Sequence, residues 1–379
     1  LIISIKIDVN MDDPIFTPAR RKGAQMAIGL DDVVAAETTL SDVDGLAGRL
    51  IIRGHSLDEL AGCVSAETVL GMLFDGAFDQ SPSQATLGAA RVAVFQRFAP
   101  LLVQMTALPL YDAVRALVAQ LPDDASLQTA LLLVAAPAVA VPALIRLRNG
   151  SQPVSPDANA AHAADILRML HDSEPSPAEI AGLDTYLVTV ADHGLNASTF
   201  AARVVASTQA GLISSVLAAY GALKGPLHGG APGPVLDMLD AVGTADRAEA
   251  TLAAMLGRGE RLMGFGHRIY RVRDPRADAL KAVLGGLQRT ERLDLALAVE
   301  AAALKLLRAK KPDRPLETNV EFFTALLLDA LGFPRDAFTA VFAMGRTGGW
   351  IAHSREQAMS GRLIRPKSRY VGPGAQLAA

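Results

Sequence analysis

The chain has a single cysteine, Cys63, in 379 residues. An intramolecular disulfide is therefore impossible, and a metal cluster built on cysteines is excluded. A reduced, cytoplasmic setting is the expectation. Aromatic residues make up only 5% of the chain, while alanine and leucine are plentiful. That balance favours tightly packed helices over an aromatic-rich β-sandwich. No sign of charge dominates: 36 Lys and Arg against 39 Asp and Glu leave a net charge of −3. No global basic field speaks for nucleic acid, although a local basic cluster can still hold a phosphorylated small molecule. A charged segment followed by an apolar stretch and a cleavage site is missing as well. The most apolar run, residues 130–145, is short for a membrane span and carries Pro137 and Pro142, so buried core is expected there.

What is present is enough for one large domain and a smaller one. Residues 1–10 alternate Ile3, Ile5, Ile7 and Val9, which reads either as an amphipathic strand or as an extension upstream of the natural chain. Residues 31–54, with the turn pair Asp44-Gly45, predict short strands or a hairpin. Beyond them the pattern is helical. Ser56 predicts an N-cap for a helix from Leu57, and Ser81-Pro82-Ser83 starts another. Residues 146–157 form the most loop-like stretch of the first half, and residues 175–178 open the next helix. One helix is predicted over residues 201–222, running into Gly225-Pro226. The stretch Leu227-His228-Gly229-Gly230-Ala231-Pro232 cannot be continuous helix. A glycine-rich turn follows at residues 262–266, Pro275 opens a helix, and another starts near Thr318. Pro334 precedes the last long helix, and the tail over residues 362–373 is basic and irregular. No repeat of fixed period is present.

Three of the seven histidines stand in unusual settings. His193 lies in Ala-Asp-His-Gly, His228 in Pro-Leu-His-Gly-Gly, and His267 in Gly-Phe-Gly-His-Arg. Neighbouring glycine lets backbone approach a ligand, and helix starts favour anions. Taken singly, each histidine is equally readable as a packed or solvated side chain. Arg271 and Arg276 follow His267. Arg276 sits at a helix start, where a cation opposes the helix dipole and adds little to stability. Arg346, among Phe342, Ala343 and Trp350, is expected to be partly buried and to need an anionic partner, either an internal carboxylate or a ligand. Arg365 reads either as a solvated tail residue or as one more carboxylate contact. Such arginines together suit a small molecule with several carboxylates, because the guanidinium fork binds carboxylate bidentately. Glu321 lies in a first helical turn, where the dipole favours its ionised form and a routine helix acid is the plain reading.

In order, these segments resemble the citrate synthase family. They are Ser41-Asp42-Val43-Asp44-Gly45 with Arg53-Gly54, Asp192-His193 with Asn196-Ala197-Ser198-Thr199-Phe200, and Gly225-Pro226-Leu227-His228-Gly229-Gly230. Further on come Gly264-Phe265-Gly266-His267-Arg268 with Asp274-Pro275-Arg276, then Asn319-Val320-Glu321-Phe322, Arg346-Thr347 and Arg365-Pro366. The similarity runs over residues 37–373.

The resemblance implies an all-α fold with short N-terminal strands, a large domain (residues 1–228 and 333–379) and a small inserted one (residues 229–332). It implies a homodimer whose small domain closes over the site. By the same resemblance, His228 stabilises the enol or enolate of an acyl-CoA, and His267 polarises and protonates the carbonyl of oxaloacetate. His193, Arg276, Arg346 and Arg365 hold carboxylates, the last from the partner subunit. Arg271 contacts the CoA phosphates, and Leu262, Gly264 and Gly266 belong to the loop along the adenine. The family's usual base is an aspartate; Glu321 stands there, longer by one methylene, about 1.5 Å. The implied reaction condenses acetyl-CoA with oxaloacetate to citrate and CoA. The rival readings are a 2-methylcitrate synthase using propionyl-CoA and a catalytically weak paralogue that binds CoA or a dicarboxylate. CoA thioester is a substrate on this reading, with no further cofactor and no metal, and neither nucleic acid nor membrane is a partner.

Overall fold

The computed structural model describes residues 30, 33–229, 232–267, 269–270, 272–287, 290–312 and 316–373. The alternating run at residues 1–10 and Arg271 lie outside the described residues. Thr38–Ala379 packs as one unit, separate from Leu1–Glu37.

The predicted hairpin is present. Strands β1 (Ser41–Asp44), β2 (Arg49–Ile52) and β3 (His55–Ser56) form an antiparallel sheet in that order. Ser41 pairs with Ile52 and Asp44 with Arg49. Leu50 and Ile52 point into the core, which anchors the sheet. Helices follow for nearly all of the rest: α1 (Leu57–Leu60), α2 (Ala66–Phe74), α3 (Gln84–Met105), α4 (Leu110–Val118), α5 (Leu127–Arg148), α6 (His162–His171), α7 (Pro177–Val190), α8 (Ala197–Ala206), α9 (Leu212–Leu223), α10 (Pro232–Val242), α11 (Ala248–Gly257), α12 (Pro275–Leu284), α13 (Glu291–Lys310), α14 (Val320–Ala330) and α15 (Phe338–Ser360). Their starts follow the predicted chemistry. Ser56 and Glu59 form a capping box, Ser83 caps α3, and Ser176 with Glu179 caps α7 ahead of Pro177.

The single helix predicted over residues 201–222 is two. Gln209 and Gly211 adopt positive φ between α8 and α9. The start of α9 is capped from a distance: Asp123 accepts the N–H groups of Ile213 at 2.8 Å and Ser214 at 3.1 Å. A carboxylate some ninety positions away decides the break, so local propensity could not show it.

Among the described residues, two helices, α3 and α5, are long and apolar enough to cross a membrane. Helix α5 instead is the centre of the core, packed by α3, α4, α6 and α15. Its Pro137 and Pro142 lie inside the helix and are buried. Helix α15 also crosses α7, α8 and α9, and this crossing builds the site.

Candidate active site

Helix α15 lies unusually close to the end of α7, because Gly345 and Gly349 share one face. A Cβ at Gly345 would run into Val190, and one at Gly349 into the Ala191 carbonyl and to 3.0 Å from Asp192 Oδ1. The approach seats Arg346 and Trp350 against the Val190–His193 turn. Arg346 is 1% exposed. Its Nε donates to the Val190 carbonyl, and its guanidinium stacks 4.8 Å from the Phe342 ring. Among the described residues no carboxylate lies within ion-pair distance of it. Burial lowers its pKa to about 10, opposed by Asp192 and reinforced by Arg276. It therefore stays cationic at neutral pH. Of the two partners open to Arg346 on the sequence, the internal one is not found.

On the far side of the Val190–His193 turn, Asn196 caps α8, its Oδ1 taking the N–H groups of Ser198 and Thr199. Ser198 Oγ is a junction. It accepts from Trp350 Nε1 at 3.1 Å and lies 2.8 Å from both Asn196 Oδ1 and His228 Nε2. The hydroxyl has one proton, which it donates to Asn196 Oδ1 here, and His228 Nε2 gives or takes a proton at Ser198 according to the ring's tautomer. His228 is held in a turn by its N–H on the Gly225 carbonyl at 2.9 Å. Gly229 lies so close to Leu223 that a Cβ would fall 2.8 Å from Leu223 Cγ. Burial first, then the Arg346 charge, lowers the His228 pKa to about 4. The imidazole is neutral at physiological pH.

The glycine-rich turn pairs with the segment before α14. Gly266 N–H donates to the Glu317 carbonyl at 2.7 Å, Asn319 N–H to the Gly264 carbonyl at 3.0 Å, and Asn319 Nδ2 to the Gly266 carbonyl at 2.8 Å. Gly264 and Gly266 have φ of +83° and +82°, and a Cβ would fall 2.8 Å from Phe322 Cβ or 2.9 Å from Leu316 Cδ2. Leu262 is buried beside them. Packing and backbone conformation thus account for these glycines without any ligand. The same bonds tie His267 to the first turn of α14.

His267 Nδ1 accepts two backbone N–H groups, from Ile269 and Tyr270, each at 3.1 Å. The ring proton is therefore on Nε2. Yet Nε2 faces Arg276 Nη2 at 3.3 Å. Two donors cannot satisfy each other, so with this tautomer the contact is not a hydrogen bond. Burial, then Arg276, lowers the His267 pKa to about 4. Tyr270, 3% exposed, completes the wall: its hydroxyl lies 3.2 Å from His193 Nε2, and its ring sits 4.9 Å from His267. The His193 and His267 rings are 5.7 Å apart. Burial first, then Arg276 and Arg346, holds His193 well below its ordinary pKa.

Arg276 does not simply oppose the dipole of α12. Asp274 caps that helix, accepts Arg276 Nε at 2.9 Å and Nη2 at 2.8 Å, and takes the Val320 N–H at 3.2 Å. The sequence reading weighed Arg276 against the helix dipole alone, whereas Asp274, two positions away, pairs with it. The expectation for Glu321 also reverses. The helix dipole favours ionisation, but burial outweighs it, and the pKa rises to about 7 although Arg276 pulls it down. No hydrogen bond to its carboxylate is found among the described residues.

The structure therefore brings His193, His267 and Arg276 together, with the charge of Arg346 acting on both His193 and His228, and that of Arg276 on Glu321. Arg365 stays apart, exposed on the chain beyond α15. Ser198, Trp350, Tyr270, Asp274 and Asn319 were not singled out by sequence reasoning as site residues. Ser198, Asp274 and Asn319 stood inside quoted motifs, where each reads as ordinary helix-start chemistry, and Trp350 was named only as a neighbour of Arg346.

Comparisons with known proteins agree with the helical fold. The model of the family described as "Citrate synthase, C-terminal domain" matches residues 29–367. A curated relative described as "Putative citrate synthase 2" from Mycobacterium tuberculosis is 41% identical over 357 residues, covering 91% of this chain and 93% of its own. The crystal structure of citrate synthase from Thermotoga maritima superposes with a TM-score of 0.82 at 30% identity, covering 94% of this chain and 98% of that one. A ternary complex of carboxymethyl coenzyme A and oxaloacetate with citrate synthase from Thermoplasma acidophilum gives 0.79 at 26% identity, with coverage of 94% and 98%. With its helical fold and this arrangement of imidazoles and arginines, the chain belongs to the citrate synthase family and is a citrate synthase-type enzyme.

Proposed function

We propose that the enzyme condenses acetyl-CoA with oxaloacetate to give citrate and CoA, acting as a cytoplasmic homodimer. The observation that carries this reading is Arg346: a buried guanidinium with no carboxylate partner among the described residues, electrostatically coupled to the equally buried Arg276. Two such cations lower each other's stability unless a dianion joins them. A 2-oxo dicarboxylate also supplies the acceptor at which His267 Nε2–H and Arg276 converge. The Thermoplasma acidophilum relative holds oxaloacetate with a CoA analogue, in keeping with this.

The chemistry then follows from proton positions. Glu321, with a pKa of about 7, is a base matched to neutral pH and takes a proton from the α-carbon of the thioester. When Ser198 gives its proton to His228 Nε2, the ring's own proton sits on Nδ1 and donates to the thioester oxygen as the enol forms. The enol carbon attacks the ketone carbon of oxaloacetate while His267 Nε2–H protonates the ketone oxygen. Water then cleaves the citryl thioester, releasing citrate and CoA. CoA enters as a substrate, and the side chains named suffice for each transfer. Arg271 and the turn bearing Leu262, Gly264 and Gly266 are assigned to the CoA moiety, His193 and Arg346 to the carboxylates. Residues 229–332 are taken as a small domain that closes to exclude water. Arg365, exposed on one subunit, is assigned to the partner's site.

The test is release of free thiol from acetyl-CoA or propionyl-CoA in the presence of oxaloacetate. A higher kcat/KM with acetyl-CoA is expected. Preference for propionyl-CoA would replace citrate by 2-methylcitrate as product, and no turnover with either would refute the reaction.

A further inference from the structure

We propose that the β1–β2 hairpin is a positioning element of the active site, a strut that holds the His193 turn at one end and fixes the tautomer of His267 at the other. The inference rests on the reaction assigned above and adds residues that neither histidine's own neighbourhood in the sequence reveals.

The first end is Ser41. Its hydroxyl donates to Asp192 Oδ2 and accepts the Gly194 N–H at 3.0 Å. It thus bonds to the residues on both sides of His193. Asp192 Oδ2 is shared with His353 Nε2 at 3.2 Å, and His353 Nδ1 faces Arg203 Nη1 at 2.7 Å. That makes His353 a donor to Asp192 and fixes the turn from the α15 side also. Gly194, at φ +59°, leaves only 3.4 Å between an imagined Cβ and Val43 of the same strand.

The second end is the hairpin tip. Asp44 Oδ1 accepts the N–H groups of Leu46 at 3.0 Å and Ala47 at 2.9 Å, and Gly48 turns at φ +64°. This rigid tip abuts the residues after His267. A Cβ on Gly45 would run into the Ile269 carbonyl, 2.7 Å from its carbon, and one on Gly48 would lie 2.7 Å from Val272 Cγ2. Ile269 and Tyr270 supply the two N–H groups that hold His267 Nδ1 as an acceptor. The tip therefore bears on the backbone that keeps the reactive proton on His267 Nε2. Tyr270, in the same stretch, meets His193 at the other end. A strand pair anchored by Leu50 and Ile52 in the core spans the two imidazoles and fixes their spacing.

The experiment compares Gly45→Ala, Ser41→Ala, Ser41→Thr and Leu46→Ala by steady-state thiol release, with thermal melting of each variant. Leu46 is 78% exposed at the same tip, and its truncation leaves the backbone of the tip in place. Gly45→Ala is expected to lower kcat about 100-fold, the scale of a 1 Å misplacement, with the KM for acyl-CoA within about twofold of wild type. Ser41→Ala is expected to raise the KM for oxaloacetate about 10-fold, and Ser41→Thr, which keeps the hydroxyl, to restore it. Leu46→Ala is expected to match wild type. Wild-type kinetics in both Gly45→Ala and Ser41→Ala would overturn the strut while leaving the reaction intact; inactivity of the wild-type enzyme would overturn the reaction itself. Should Gly45→Ala fail to fold, Ser41→Ala decides alone, since it removes an atom and creates no clash. An equal loss with Ser41→Thr would assign the effect to packing and sink the proposal too.

Discussion

Two fully buried arginines, Arg91 on α3 and Arg346 on α15, meet the same desolvation cost in opposite ways. Arg91 is saturated. Its Nε lies 2.7 Å from Asp165 Oδ2, its Nη1 3.2 Å from His162 Nδ1, and its Nη2 donates to the carbonyls of Asp157 and Ala160. His162, its pKa lowered to about 3 by burial and by Arg91, stays neutral and accepts. Arg346 has one carbonyl, one aromatic face and a counter-charge that does not touch it. Four of the five N–H groups of the first are spent on the fold. The second is held in place by glycines that bring backbone close, and among the described residues a single carbonyl accepts from it. A buried charge left short of partners marks function more clearly than a buried charge does by itself.

The sharpest way to break the comparison is to neutralise each arginine in turn. Arg346→Gln is expected to lower kcat/KM for oxaloacetate about 10,000-fold, with a melting temperature equal to wild type or higher. Arg91→Gln is expected to cost about 3–5 kcal/mol of stability, while the protein that remains folded turns over normally. Equal destabilisation by both, measured in denaturant titrations, would erase the distinction.

Glu321 extends the contrast to a carboxylate. Its folded pKa of about 7 exceeds the ordinary 4.5, so the folded state binds more protons than the unfolded chain between those values. The stabilising contribution of the protonated form is complete below pH 4.5 and is lost as pH rises through 7. Glu321→Gln is expected to reduce turnover about 1,000-fold and to raise stability above pH 7 by on the order of 1–3 kcal/mol. In the wild type, kcat/KM should fall as pH drops below 7, because the base must be ionised. A profile flat from pH 5 to 8 would place the base elsewhere. The smallest effect belongs to Ser198. Removing its hydroxyl in Ser198→Ala leaves Trp350 Nε1 and His228 Nε2 without their shared partner and should lower kcat about 10-fold, with oxaloacetate KM little changed.

The sequence showed the helical fold through its punctuation. Ser56 was readable as a cap and residues 175–178 as a helix start, where the structure has Ser56 and Ser176 in capping boxes, and glycine runs marked the turns around His228 and His267. The α8–α9 break escaped because its cap, Asp123, comes from another part of the chain. At the site, histidines and arginines stood out because their settings were unusual. Ser198 and Asp274 did not, since a serine or aspartate at a helix start is ordinary chemistry whose second role depends on tertiary neighbours. The Glu321 charge state was misjudged for the same reason: the dipole is local and readable, whereas burial is a property of the assembled fold.

The chain contains one tryptophan, and it is Trp350, hydrogen-bonded to the hydroxyl that also contacts His228 and packed edge-to-face 5.3 Å from Tyr220. All indole emission thus originates two hydrogen bonds away from the His228 imidazole. The protein carries its own single-site optical gauge: ligand occupancy can be followed by fluorescence without a dye, a label or a turnover event.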